Sequence, residues 1–254
     1  MNTQSDPQST LTGKVALITG AAHRIGAEMA HQLHQAGMNI ALHYRNSKEK
    51  AEALAAKLNA ARPDSVCLIQ ANLLETNTLP NVIAAATKPW QRLDVLINNA
   101  STFYPTAISS ATEADWDDLI GSNLKAPFFL SQAAANELRR HGGCIVNIVD
   151  IHSQRPMKGY PIYSAAKAGL AMLTMSLARE LGPEVRVNGV APGAILWPEH
   201  EMTEQEKSDI IARTALKRQG SAADIARTAL FLIRDADYIS GQIINVDGGR
   251  TLGF

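Results

Sequence analysis

The feature that most restricts this chain is a regular exchange of short, apolar, β-rich runs with helical patterns. Residues 14–19 (KVALIT) end at Gly20, and a helical pattern follows over 25–37. The unit recurs as strand 39–44, helix 48–61, strand 65–70, a helix near 79–86 and strand 94–98. A long helical pattern over 115–140 is interrupted near Pro127 and stopped by Gly142-Gly143, ahead of strand 144–149. Helix 165–181, strand 186–190, a polar loop around 199–206, a helix near 222–233 and strand 242–246 complete the order. Strands that are apolar almost throughout need cover on both faces. The pattern therefore predicts an α/β fold with a doubly wound parallel sheet, right-handed crossovers and a ligand crevice at the carboxyl ends of the strands.

One such domain can fill the chain. Residues 1–11 read as a flexible polar tail and 12–254 as the domain. The 24 basic and 24 acidic residues balance, which removes the electrostatic case for a nucleic-acid partner or an anionic membrane surface and makes a small molecule the expected partner. Cys67 and Cys144 lie far apart, fit no metal-ligand spacing and follow no secretory start, so reduced thiols and no metal site are expected. No apolar run approaches a membrane span, and the expected location is the cytoplasm.

Residues 19–26 (TGAAHRIG) sit where the first strand gives way to the first helix. Gly20 permits a tight turn and Gly26 close helix packing, while the backbone N–H groups around Arg24 and Ile25 can face a pyrophosphate. An ordinary βα turn with glycines would read the same way. The second strand ends in Tyr44-Arg45-Asn46-Ser47, without the Asp or Glu that would grip a ribose 2′-hydroxyl. Arg45, with Asn46 and Ser47 as neutral donors, suits a 2′-phosphate, so NADPH is expected rather than NADH; the alternative is a solvated arginine. Asn98-Asn99-Ala100-Ser101 and Pro192-Gly193 follow strands at the same sheet edge, and Asp247-Gly248-Gly249 reads as a structural turn.

Tyr163 and Lys167 stand four apart on a predicted helix and share a face. A phenol with an ordinary pKa near 10 is a poor acid–base group at neutral pH, and a neighbouring ammonium together with a cationic nicotinamide is expected to draw it down. Such a pair is also common by chance. In company it means more. TGAAHRIG, NNAS, Asn123, the Y-x-x-x-K of Tyr163 and Lys167, and the PG turn together resemble the short-chain dehydrogenase/reductase family along nearly the whole chain. That resemblance implies a Rossmann-type single domain, Tyr163 as proton donor, Lys167 on the nicotinamide ribose and Asn123 supporting a relay water. It also implies cofactor contacts from Asn72, Leu73 and Ile195 and a homotetramer built on the two long helices.

Two departures narrow the expectation. Arg24 stands where the family has Gly, and Asp150 stands where it has Ser. A serine hydroxyl can donate to a carbonyl oxygen as negative charge grows there, whereas an ionised carboxylate opposes that charge. A carboxylate beside a phenol suits proton delivery to a ring nitrogen instead. Arg24, the continuation Thr102-Phe103-Tyr104-Pro105 and the Asp150/Tyr163/Lys167 set are similar to the pteridine reductases, including bacterial dihydromonapterin/dihydrofolate reductases. This implies a flat pterin stacked on Phe103, with Arg24 and Ser101 near the pterin and the cofactor phosphates, and Asp150, Tyr163, Leu196 and Trp197 around the substrate. Phe103 as plain core and Trp197 as packing beneath the loop stay open. The expected activity is NADPH-dependent transfer of a hydride to a C=N bond of a dihydropterin or dihydrofolate, giving the tetrahydro form. The alternatives are reduction of a ketone or quinone, and a non-catalytic NADPH sensor.

Overall fold

The apolar runs assemble side by side as one parallel sheet. A computed structural model describes residues 11–195, 197 and 202–253. Its strands are β1 (Val15–Ile18), β2 (Asn39–Tyr44), β3 (Val66–Gln70), β4 (Val95–Asn98), β5 (Cys144–Ile148), β6 (Arg186–Pro192) and β7 (Ile243–Val246). They lie in the order β3-β2-β1-β4-β5-β6-β7 with every neighbouring pair parallel. The chain switches direction of growth between β1 and β4, the place where an open α/β sheet leaves a crevice for a ligand. The connecting helices are α1 (Arg24–Gln35), α2 (Lys48–Ala61), α3 (Leu79–Thr87), α4 (Glu113–Ile120), α5 (Ala126–His141), α6 (Pro161–Leu181), α7 (Glu204–Ala212) and α8 (Ala222–Arg234).

Both faces of the sheet are covered, which is why its strands can be apolar without alternation. Ile18, Ile40 and Val146 pack on one side with Met29 and Leu33 of α1, Leu58 of α2 and Leu232 of α8. Leu17, Leu96 and Ile145 pack on the other with Val82 of α3, Leu130 of α5 and Leu177 of α6. The result is a Rossmann-like fold. Both cysteines are free thiols, pushed up to about 11 by burial. Among the described residues no helix is long and apolar enough to cross a membrane.

The expected interruption near Pro127 is present, and three details differ from the sequence reading. The long helical pattern breaks ahead of Pro127: α4 ends in a π-helical turn, Gly121–Lys125, and Pro127 sits in the first turn of α5. A proline ring cannot bond to the carbonyl four residues before it, so the irregular turn falls around Asn123. Pro161 opens α6, placing its start before the expected residue 165. Strand β6 runs on through Pro192, paired with Val246 of β7. Leu11, expected in the tail, is only 3% exposed and packs in the core, and its carbonyl accepts from the Lys14 N–H at 3.1 Å.

Candidate active site

The crevice is built from a glycine loop held by its neighbour strand. The Thr19 hydroxyl accepts from the N–H groups of Asn99 (2.9 Å) and Ala100 (3.0 Å), and Asn99 Nδ2 donates to the carbonyls of Thr19 (2.8 Å) and Gly20 (3.0 Å). These bonds draw the two loops so close that side chains cannot fit. A Cβ on Gly20, whose φ is +63°, would stand 3.0 Å from Ala100 Cα, and one on Gly26 would stand 2.4 Å from the Gly20 oxygen. Beneath the loop, His43 accepts from the Gly20 N–H through Nδ1 and donates to the Ala71 carbonyl through Nε2, both at 3.2 Å. Only the neutral ring can do both, and burial pulls its pKa down to about 4. Arg24 adopts φ +56°, a left-handed conformation costing a residue with a Cβ about 1 kcal/mol, and its Nη2 donates to the Trp197 carbonyl at 3.2 Å.

A cavity of about 790 Å³ opens over this cradle. Gly20, Arg24, Ile25, Tyr44, Arg45, Asn46, Ser47, Asn72, Leu73, Asn99, Ala100, Ser101, Pro192, Gly193 and Ile195 all line it, as do Phe103, Asp150, Tyr163, Lys167 and Trp197. Leu196 lies outside the described residues. Among the described residues Asp150 is the one acidic group on the wall, facing Arg24, Arg45, Lys167 and Arg250. The cradle, which admits no Cβ at Gly20 or Gly26, and the Arg45 end of β2 fit a phosphorylated dinucleotide, and the cofactor is NADPH.

At the far side of β5, the Tyr163 hydroxyl donates to Asp150 Oδ2 at 2.8 Å, and Asp150 Oδ1 accepts from the His152 N–H at 2.8 Å. Lys167 Nζ donates to the Ile148 carbonyl at 2.9 Å and lies 5.7 Å from the centre of the Tyr163 ring. Burial, then the charge of Asp150 and its hydrogen bond, push the Tyr163 phenol well above its ordinary range. Lys167 by itself therefore does not draw the phenol down, and the expected help of a cationic nicotinamide belongs to the cofactor-bound site. Burial also takes Lys167 to about 8, with Asp150 opposing, so its ammonium is outweighed by desolvation and by a carboxylate in direct contact. The phenol is a protonated donor.

Asn123 is fully buried in the π-helical turn and is absent from the cavity lining. Its Nδ2 donates to the carbonyls of Thr102 and Leu119, both at 3.0 Å, and its Oδ1 accepts from Ser101 Oγ at 2.7 Å. It fastens the segment that leads to Phe103. That ring is 38% exposed, stacked on Tyr160 (4.7 Å, 12° between planes) and edge-on to Tyr163 (4.8 Å, 77°). Phe103 is therefore a braced, half-open aromatic plate rather than core.

A family model described as enoyl-(acyl carrier protein) reductase matches residues 20–251. The chain is a short-chain dehydrogenase/reductase. Curated relatives include pteridine reductase 1 of Leishmania tarentolae, 37% identical over 95% of this chain and 97% of that protein. The 3-oxoacyl-(acyl-carrier-protein) reductase FabG of Staphylococcus aureus strain Mu50 is 39% identical over 94% and 98%, and the 3-oxoacyl-(acyl-carrier-protein) reductase of a Synechocystis strain is 34% identical over 96% and 99%.

This reductase uses residues that its sequence did not single out. His43, Met157, Met202, Ile210 and Arg250 all line the cavity, and Tyr160 backs Phe103. Met202 and Ile210 get there because part of the expected polar loop is the start of α7. Thr203 accepts from the Glu206 N–H, and the Glu206 carboxylate accepts from the Thr203 N–H. A T-x-x-E capping box is a readable signal, and it could have located that helix. Arg250 rides on the Asp247-Gly248-Gly249 turn, which is a structural turn as expected: Asp247 accepts from the N–H groups of Gly249 (2.9 Å) and Thr251 (2.8 Å).

Proposed function

We propose that this oxidoreductase is a pteridine reductase, converting a dihydropterin or dihydrofolate to its tetrahydro form. The observation that carries the reading is the 2.8 Å hydrogen bond from Tyr163 to Asp150. When bound, NADPH supplies the hydride. Reduction of a C=N bond leaves the nitrogen needing a proton, and the protonated Tyr163 phenol is a donor for it. Asp150 orients that phenol and is placed to accept from a ring N–H. The same carboxylate would oppose the negative charge that builds on a carbonyl oxygen, so simple ketone reduction fits this wall less well. Phe103 offers a flat heterocycle a face, a contact worth about 1 kcal/mol beyond burial. The Leishmania relative supports the reading.

A second reading, carbonyl reduction, is favoured by the FabG relatives at similar identity. NADPH oxidation with dihydrobiopterin, dihydromonapterin, dihydrofolate and an acetoacetyl thioester, in wild type and Asp150→Ser, separates them. The expected result is preferred turnover of a dihydropterin, lowered in Asp150→Ser by about a hundredfold or more. Faster thioester reduction, or pterin turnover untouched by Asp150→Ser, would overturn it. We also infer a cytoplasmic homotetramer, supported by exposed Phe128 on α5 and Met172 and Met175 on α6, the long helices.

A further inference from the structure

Arg250 is the basic group on the cavity wall to which the cofactor reading gives no role. It reaches the cavity from the turn after β7, a built feature: Asp247 ties the turn through two backbone N–H groups, and Gly249 adopts φ +79° beside Ala215, where an added Cβ would stand 2.8 Å from the Ala215 Cβ. The Leu216 N–H donates to the Gly248 carbonyl at 3.0 Å, so the turn is docked on the chain leaving α7. Arg213, the exposed C-cap of α7, lies within electrostatic reach of Arg250.

Among the described residues no hydrogen bond or ion pair occupies the Arg250 guanidinium. The nearby carboxylates attract Arg250 without a hydrogen bond or ion pair to it, and each holds other donors. Asp247 is engaged by its turn, and Asp150 accepts from Tyr163 and from the His152 N–H. The Arg250 guanidinium is therefore available to the cavity, whose wall it shares with the apolar side chains of Met157, Met202 and Ile210. Such a fork matches a carboxylate in shape and charge.

We propose that Arg250 anchors a carboxylate on the substrate's side chain, so that the site prefers a pterin with an acidic tail, a folate, over a neutral one. The proposal rests on the pteridine reading and names its substrate class. The apolar side chains in the same cavity suit the aromatic linker that joins a folate's pterin to its glutamate.

The test compares dihydrofolate with dihydrobiopterin in wild type, Arg250→Gln and Arg250→Lys. The expected result is a fall of about tenfold or more in the ratio of kcat/KM for dihydrofolate over dihydrobiopterin in Arg250→Gln, carried by KM, with partial recovery in Arg250→Lys. An unchanged ratio would overturn the anchor while leaving pterin reduction standing. Calorimetric binding of dihydrofolate to the NADP+-loaded protein gives a readout independent of turnover. If wild type reduces neither pterin yet binds dihydrofolate, weakening in Arg250→Gln supports the anion anchor although the reduction reading has failed. Equal binding by wild type and Arg250→Gln, or none by either, sinks the anchor.

Discussion

His43 makes the glycine cradle sensitive to acid. Its pKa is about 4 in the fold against 6.5 ordinarily, so between those values the unfolded chain holds a proton that the folded one refuses. The stability it contributes is complete above about pH 6.5 and is lost as pH falls through that window, by up to about 1.4 kcal/mol per pH unit. His34, lowered by burial and then by Arg62, acts in the same direction. Urea unfolding between about pH 7 and pH 5 should show this slope, and His43→Gln should flatten it by roughly one proton. An unchanged slope would assign the sensitivity to other groups. That Tyr163, Lys167 and Asp150 share one wall was legible in the sequence, through the helical spacing of the first two and the family resemblance that picked out Asp150. His43 was not, since only strand pairing puts Gly20 above it. The upward pull on Tyr163 was not legible for a related reason: spacing places an ammonium near a phenol but says nothing of how deeply both are buried.

At the scale of elements, the strands were readable because burial on both faces leaves unbroken apolar runs, and glycines mark where they end. The α7 helix was missed because Ile210 and Ile211 are its only large apolar residues and stand side by side, so no stripe announces it, and polarity suggested a loop. Its stability rests on its cap. Thr203→Ala removes the side-chain half of that cap, at a cost of about 1 kcal/mol to the helix. Hydrogen exchange over 204–212 should quicken by roughly fivefold while the melting of the sheet changes little. Equal protection in both proteins would mean that packing rather than the cap holds α7.

For the whole molecule, the balanced charge leaves assembly to apolar surface. Met172 is 62% exposed and Met175 43% on α6, in a chain whose other large apolar side chains are mostly buried. Met172→Glu should lower the solution mass measured by light scattering from that of a tetramer, with the far-UV spectrum retained; a wild-type monomer would remove the assembly altogether. Gly193 lies so close to Asp247 that a Cβ on it would stand 2.6 Å from the Asp247 Cα. The turn after β7 thus presses on the end of β6, while the glycine cradle is drawn from β1, β2 and β4. A proteolytic nick behind β7 would therefore take Arg250 from the cavity and spare the cradle, parting the anchor from the redox chemistry it serves.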